Sequence, residues 1–202
     1  KGAGLVLAVV VLLAAVAASL ALGARPVPLD GVWRALVDAQ PDDLALARDW
    51  AVVHDQRIPR TALGLLVGLA LGMAGTHIQG LTRNPLADPG ILGIQAGASL
   101  AVVIGINTLS IDGPISYVWF GFLGAGLAGA VVYALGSLGR GGASPVKLAL
   151  AGAALSAMLI AITTGILIAN TATLNEYRFW AVGSLAGRDA EVVRAVAPFI
   201  VV

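Results

Sequence analysis

The sequence predicts an all-α fold, a polytopic membrane bundle of about six spanning helices. Hydrophobic residues make up 58% of the 202 residues and charged residues only 11%, and the mean hydropathy is +0.92. A soluble domain carries about 25% charged residues, so lipid must be the solvent for most of this chain. The apolar residues form separate runs of about 20 residues, the length that crosses a bilayer. The 26 glycines fit close helix packing in lipid.

The apolar runs place the spans in order along the chain. They lie at residues 3–23, 61–81, 93–109, 116–138 and 146–169, and a sixth begins near residue 190. The first run can also be read as a signal peptide, but its length favours a retained span. The spacings Gly64-Gly68-Gly72 and Gly121-Ala125-Gly129 predict tightly packed helix faces. We expect residues 1–202 to form a single transmembrane domain that is truncated at its carboxyl end.

The long polar stretch, residues 24–60, separates the first two spans. It holds five arginines and six aspartates, so it is not a basic patch. Within it, residues 29–37 (LDGVWRALV) predict a short surface helix with Asp30 as its N-cap. The alternative is a simple connector that lies on the membrane face. Counting lysines and arginines on the two sides does not settle the orientation of the spans.

Few side chains in the spans could carry chemistry. The sequence has no G-x-S-x-G, HExxH or Walker lysine motif, so no catalytic residue is predicted. His54 stands in the polar segment and the chain has no cysteine, so no metal site is predicted. His77 is either a polar, pH-sensitive lining of a pathway or a histidine bonded to a neighbouring helix. Ser99 and Ser184 are interpreted as small packing residues. The net charge of +1 gives no field that would recruit nucleic acid.

The motif RNPLADPG, residues 83–90, interrupts two strongly apolar stretches. Pro85 and Pro89 cannot continue a helix, and each follows a residue that starts turns, Asn84 and Asp88. Gly90 gives the backbone freedom before the next span. The motif therefore predicts a stiff, shaped loop packed in the protein near a pathway, with a mere hairpin turn as the alternative.

At these residues the chain resembles a known family. Residues 57–102 (RIPRTALGLLVGLALGMAGTHIQGLTRNPLADPGILGIQAGASLAV) closely resemble the signature of FecCD-type permeases, the transmembrane subunits of ABC importers for iron-siderophores, haem and cobalamin. SPVKLALAGAALS resembles the start of the family's fifth span, and RFWAVGSLAGRDAEVV resembles the segment that leads to the sixth. The resemblance covers residues 3–202 and implies about six of the ten transmembrane helices of such a permease.

The resemblance also implies a topology and a docking site. The amino terminus would be cytoplasmic, and residues 24–60 would face the extracytoplasmic side. Arg57 and Arg60, from the family's R-x-P-R motif, would then meet carboxylates of a substrate-binding protein, since arginine pairs bidentately with carboxylates. Alternatively, the two arginines only anchor the second helix at the headgroups or pair with Asp55.

The same resemblance implies that further residues shape the pathway. On the fifth span, Ser156, Thr163, Thr164 and Asn170 would line it, although hydrogen bonds between helices would equally explain these residues. At the cytoplasmic end of that span, Ser144 and Lys147 would form an inner gate. The loop would shape the inner end of the pathway through Arg83, Asn84, Pro85, Asp88, Pro89 and Gly90.

The resemblance implies that this chain carries no cofactor and works with partners in the cytoplasmic (inner) membrane of a bacterium. The partners are a second permease subunit, two cytoplasmic ABC ATPase subunits that bind ATP, and an extracytoplasmic substrate-binding protein. Iron-siderophore is the expected cargo because it is the commonest in the family. The family's coupling segment for the ATPase is absent from the 202 residues. The rival functions are an ion-coupled secondary transporter and a structural membrane subunit that transports nothing.

Overall fold

The computed structural model describes the chain except for residues 1, 24, 39, 139–141, 186, 189 and 202. The described residues form helices and connecting segments, and no strand occurs among them. In chain order the helices are α1 (Gly2–Ala21), α2 (Leu29–Val37), α3 (Leu44–Ala51), α4 (Ile58–Thr82), α5 (Ile94–Leu109), α6 (Gly113–Ser137), α7 (Pro145–Ala169), α8 (Thr171–Val182) and α9 (Ala190–Val201), with a π-helical turn at Val52–Arg57 and a 3₁₀ turn at Pro89–Leu92.

The predicted spans coincide with α1, α4, α5, α6, α7 and the start of α9, which confirms the all-α membrane bundle. Four helical segments are long and apolar enough to cross a bilayer. They are α1, α6, α7 and the continuous stretch Leu44–Thr82, which contains α4. With 16 residues, α5 is shorter but equally apolar. Apolar runs of this length fix helices in lipid because every backbone polar group must be paired internally.

The polar segment between the first two spans is more helical than expected. α3, the π-helical turn and α4 form one continuous helix of 39 residues. Pro59 has no N–H to donate, and the turn before it adapts by bonding Ile58 N–H to the carbonyl of Val53, five residues back. Asp30 is not the N-cap of α2. That helix begins at Leu29, and Asp30 lies in its first turn, with Oδ2 3.6 Å from Arg34 Nη2.

The chain divides into two compact units. The first unit comprises residues 1–69 and 185–202, and the second comprises residues 70–184. In the first unit, Val27, Val32, Ala35 and Val53 form a small core with Leu20, Trp50, Val52 and Ile58 packed against it. In the second unit, α5, α6 and α7 pack around Ala128, Val132, Leu148 and Leu155. Each unit therefore has its own apolar centre.

Small residues mediate close packing between α5 and α6 in the second unit. A Cβ added to Gly97 would collide with the backbone of Gly124, and one added to Gly124 would collide with the backbone of Gly97. The predicted stripe of Gly121, Ala125 and Gly129 lies on another face, because no atom of the described residues lies within 4 Å of a Cβ added at either glycine. The small-residue rule holds for α6, but the contacting face is Gly124-Ala128.

Candidate functional site

The RNPLADPG loop is shaped by two short side-chain turns. The Oδ1 atom of Asn84 accepts from the backbone N–H of Leu86 at 2.9 Å, and Oδ1 of Asp88 accepts from that of Gly90 at 2.7 Å. Each acceptor residue directly precedes a proline, and the ring of that proline fixes its own φ. Arg83 begins the loop with φ of 50°, in the left-handed region. Two consecutive turns leave the loop little freedom to rearrange.

The 3₁₀ turn Pro89–Leu92, which overlaps the end of the loop, packs on α7. Gly152 of α7 meets the carbonyl of Ile91 so closely that a Cβ there would overlap it. Gly93, with φ of 73°, ends the 3₁₀ turn and starts α5, and a Cβ there would lie 3.3 Å from Ser156 Oγ. These two glycines let the loop backbone approach α7 closely. The first half of the loop, residues 83–86, is exposed.

A cleft of about 380 Å³ opens beside this contact, within the second unit. Helices α5, α7 and α8 and the loop form its walls. Its lining is Gly90, Gln95, Ala96, Ser99, Ser156, Ile160, Thr163, Thr164, Leu167 and Tyr177. Three predicted pathway residues, Ser156, Thr163 and Thr164, therefore meet in one place, together with Gly90 of the loop.

The polar groups of the cleft are neutral hydroxyls and one amide. Buried Thr163 donates from Oγ1 to the carbonyl of Leu159 on its own helix at 2.8 Å. Ser156 is half-buried, and Thr164 is exposed. No Asp, Glu, Lys or Arg is among the lining residues. Such a wall can offer weak hydrogen bonds to a passing molecule, but it holds no charge that would bind an ion strongly.

Three further residues line the cleft: Gln95, Ser99 and Tyr177. The sequence predicts no role for Gln95 or Tyr177, and it favours Ser99 as a small packing residue. Gln95 and Ser99 are four residues apart on α5, so they share a face of that helix. In a helix as apolar as α5, this i, i+4 pair of polar residues is a sequence signal that points to a polar surface. Tyr177 gives no comparable signal, because it lies in α8, a helix that the apolar runs do not predict.

A polar network at the start of α8 holds that helix against α5. Asn170 caps α8 by accepting from the N–H groups of Ala172 and Thr173, and its Nδ2 donates to Asn107 Oδ1 at 2.9 Å. Thr173 Oγ1 donates to the same oxygen at 3.2 Å. Asn170 was expected to line the pathway, but it is not among the residues of the cleft.

A second contact lies one turn further along α8. Tyr117 of α6 donates from its hydroxyl to Glu176 Oε1 at 2.6 Å. α8 then ends at Gly183, whose φ of 63° is left-handed. The two contacts set the position of α8, and hence that of Tyr177 in the wall of the cleft.

In the first unit, the R-x-P-R arginines bind the end of α1. Arg57 donates from Nη1 to the carbonyl oxygens of Leu20 and Ala21 at 2.6 and 2.8 Å, and from Nη2 to that of Arg25 at 2.6 Å. Carbonyls in the last turn of a helix lack helical partners and carry the negative end of the helix dipole. Gly23 leaves room for the guanidinium, since a Cβ there would lie 3.1 Å from Nη2.

Arg60 binds the same helix end from one turn further along. Its Nη2 donates to the carbonyls of Ser19 at 2.6 Å and Leu22 at 3.1 Å. The hydroxyl of Thr61 lies 2.7 Å from that of Ser19. Together, the two arginines pair four consecutive carbonyls, residues 19–22, that helix α1 itself leaves without partners.

This placement corrects the expectation that Arg57 lies at the surface. Only 2% of Arg57 is exposed, and its two terminal nitrogens donate to backbone oxygens of residues 20, 21 and 25. A guanidinium with both terminal nitrogens engaged in this way has little to offer to a docking carboxylate. Among the described residues, neither arginine forms an ion pair with Asp55, and Asp55 is exposed. Arg60 is half-buried, and docking through it stays a prediction.

The remaining predicted residues lie away from the cleft. His77 is exposed on α4 and donates from Nδ1 to the carbonyl of Met73 on its own helix, at 2.7 Å. Ser144 is the N-cap of α7 and accepts from the N–H of Lys147 at 3.4 Å. Lys147 in turn donates from Nζ to the carbonyl of Gly142 at 3.1 Å. Neither Ser144 nor Lys147 is among the lining residues, and a gate at this point stays a prediction.

No group of three or more His, Asp or Glu that could hold a metal ion occurs in the part of the chain that the structure describes. The cleft also holds no paired nucleophile and base among its lining residues. Its chemistry is that of a polar surface.

Comparison with known proteins places this fold among transport proteins. Residues 11–202 match the model of the FecCD transport family. The chain is 42% identical over 185 residues to the ferric enterobactin transport system permease protein FepD of Escherichia coli, covering 92% of this chain and 54% of that protein. It is 40% identical over 195 residues to YfiZ of Bacillus subtilis, described as a probable siderophore transport system permease protein, covering 96% of this chain and 57% of that protein.

A solved structure of a metal-chelate type ABC transporter in an inward-facing conformation has the same fold. The TM-score is 0.70 at 23% sequence identity, and the match covers 96% of this chain and 57% of that one. The chain thus spans a little over half the length of the proteins that it matches.

Proposed function

The chain belongs to the FecCD transport family, and from that membership we propose that it is the transmembrane permease part of a binding-protein-dependent ABC importer for an iron-siderophore. The cargo would cross the membrane in a pathway to which the neutral cleft between α5, α7 and α8 contributes. The two relatives described above are named for siderophore and ferric enterobactin transport, which supports a ferric chelate as the cargo.

The neutral lining of the cleft is the observation that carries this proposal. A transporter must let its cargo leave, so its pathway should bind weakly at each point. Hydroxyls and one amide, with most of their hydrogen-bonding capacity free, suit a bulky chelate whose exposed groups are mixed carbonyls and hydroxyls. A charged residue would be costly to insert at this depth and would hold an anionic chelate too tightly.

The energy source follows from the same lining. An ion-coupled transporter needs a charged group such as a carboxylate where the coupling ion binds, and the residues that line the cleft include no Asp, Glu, Lys, Arg or His. The FecCD family membership and the fold shared with a metal-chelate type ABC transporter support two separate ATPase subunits that bind ATP and act on a dimer of permeases. This chain would lie in the bacterial inner membrane with its amino terminus in the cytoplasm, and Arg60 would face the binding protein.

The test uses the full-length permease with its partners in proteoliposomes. Ser156→Leu and Thr164→Leu each fill the cleft with a larger apolar side chain. We expect each variant to lose at least about tenfold in ferric-siderophore uptake, since a 1.4 kcal/mol rise in a barrier already gives that factor. Ala169→Leu is the matched control and should transport normally, since Ala169 is exposed and lies about 140° around α7 from both Ser156 and Thr164.

Three results would overturn the proposal. Normal uptake by folded Ser156→Leu and Thr164→Leu variants would exclude the cleft from the pathway. Uptake that follows an ion gradient without ATP and without a binding protein would favour the secondary transporter. Absence of any transport by the complete assembly, across a panel of ferric chelates, would favour the structural subunit.

A further inference from the structure

Helix α2 has an apolar face that nothing in the described residues covers. Its residues fall into three sectors when placed at about 100° per residue. Val32 and Ala35 are buried against the core of the first unit. Asp30 and Arg34 form an exposed, polar sector. The third sector, between these two, is apolar and exposed, and consists of Leu29, Trp33, Leu36 and Val37.

This third sector is unusual for a helix that faces water. Leu29, Trp33 and Val37 each expose more than half of their surface, and Trp33 exposes 68%. They recur at i, i+4 and i+8, so they form a continuous stripe along the helix. Single exposed apolar residues are ordinary on a protein surface, but a contiguous stripe with a tryptophan marks a contact.

The contacts of the buried sector fix the level of α2 relative to the spans. The core that holds Val32 and Ala35 also receives Leu20, from the last turn of α1, and Ile58, from the first turn of α4. Both of those helices cross the membrane by length and apolarity. α2 therefore lies at the height where two spans leave the hydrocarbon layer, which is the membrane–water interface.

The end of α1 is also exposed and apolar up to this level. No residue of α1 is buried, and Leu22, just after it, exposes 69% of its surface. Only seven residues, 22–28, separate α1 from α2. The stripe thus continues a lipid-facing surface, and tryptophan is the side chain enriched where hydrocarbon meets headgroups.

We propose that α2 is an interfacial helix whose stripe, Leu29, Trp33, Leu36 and Val37, inserts into the lipid leaflet around the ends of α1 and α4. The partner is the lipid surface itself. Asp30 and Arg34 remain among headgroups and water, as in other amphipathic helices that lie in the membrane plane. This inference depends only on the membrane location of the chain and is independent of the cargo and the energy source proposed above.

Nitroxide accessibility tests the proposal in the full-length protein, reconstituted in lipid nanodiscs. The 202 residues contain no cysteine, so single cysteines can carry the label once any cysteine elsewhere in the subunit is replaced by alanine. Trp33→Cys and Val37→Cys place the label on the stripe, and Arg34→Cys places it on the polar sector of the same helix. The measurement is the relaxation of each label by oxygen, which partitions into lipid, and by a water-soluble nickel chelate.

The compared quantity is the relaxation by oxygen divided by the relaxation by the nickel chelate. We expect this ratio to be at least about threefold higher for the labels at 33 and 37 than for the label at 34, because the two faces of an interfacial helix lie at different depths. Equal ratios at all three positions would place the stripe in water and overturn the proposal. So would protection of 33 and 37 from both reagents, which would mean a protein neighbour. Exposure of 33 and 37 to nickel that disappears only when the binding protein is added would assign the stripe to that protein instead.

Discussion

The end of α1 and the cleft beside α7 use polar side chains in opposite ways. At the end of α1, Arg57 and Arg60 direct charged donors at five backbone carbonyls and fix one geometry. In the cleft, Ser156 and Thr164 present hydroxyls to open space, and Thr163 bonds only to its own helix. The first arrangement is rigid and costly to break, whereas the second is weak and leaves the wall free to contact something else.

This difference separates stability from transport in the same molecule. Charged hydrogen bonds are worth about 1.5–3 kcal/mol each, and neutral ones about 0.5–1.5 kcal/mol. An R-x-P-R motif that looks like a surface contact in sequence is, in the structure, the junction that joins α1 to α4. The residues suited to a passing molecule are small and neutral, and they are spread over α5, α7 and α8.

The largest expected effect comes from breaking the rigid arrangement. Arg57→Ala removes three charge-assisted hydrogen bonds and leaves the carbonyls of Leu20, Ala21 and Arg25 to find other partners. We expect a loss of about 4 kcal/mol in the free energy of unfolding of the full-length protein in detergent micelles. Arg60→Ala, which loses two bonds from a half-buried side chain, should cost about half as much.

Arg57→Lys is the matched control, since it keeps the charge but lacks the planar fork that reaches several oxygens at once. It should recover only part of the lost stability. If Arg57→Ala unfolded at the wild-type denaturant concentration and instead lost affinity for the binding protein, the guanidinium would be a docking group. The structural role described here would then be wrong.

The spans could be predicted from sequence because apolar length alone determines them. The position of Arg57 could not, since its partners are 32–37 residues away and only the folded chain brings them together. The helical continuity from Leu44 to Thr82 was also hidden, because the proline at residue 59 normally interrupts a helix.

Only part of the lining of the cleft can be predicted from the sequence, because some of it depends on how the helices pack. Ser156, Thr163 and Thr164 stand out as polar residues on one face of an apolar helix, so their sequence spacing groups them. Ser99 forms a polar pair with Gln95 on apolar α5, but its place beside the α7 residues depends on how α5 packs on α7, which the spacing within α5 does not show. Which glycine face of α6 makes contact likewise depends on the partner helix and not on the spacing within α6.

A medium effect is expected where α5 and α6 touch. Gly124→Ala places a Cβ against the backbone of Gly97 and 2.6 Å from the Cβ of Ala101, so one helix must shift. Overpacking of this kind costs about 2 kcal/mol. We expect a lower thermal unfolding temperature for the full-length protein in micelles, and lower uptake too, because α5 carries Gln95 and Ser99 in the cleft.

Gly121→Ala supplies the control on the same helix. No atom of the described residues lies within 4 Å of a Cβ at that position, so the added methyl should change stability by no more than about 1 kcal/mol, and in the favourable direction of helix propensity. Equal losses from both variants would mean that α6 uses both of its small-residue faces in the assembled protein.

The smallest effect tests whether the cleft depends on the position of α8. Tyr117→Phe deletes the hydrogen bond to Glu176 and little else, and should lower stability by about 1 kcal/mol. Because that bond helps to position Tyr177 in the wall of the cleft, the variant should change transport more than its stability loss explains. Tyr133→Phe is the control, since Tyr133 lies on the same helix with 65% of its surface exposed and its hydroxyl makes no hydrogen bond to the described residues. Identical transport by the two variants would show that the cleft keeps its shape without this contact, and that α8 is held by Asn107, Asn170 and Thr173 alone.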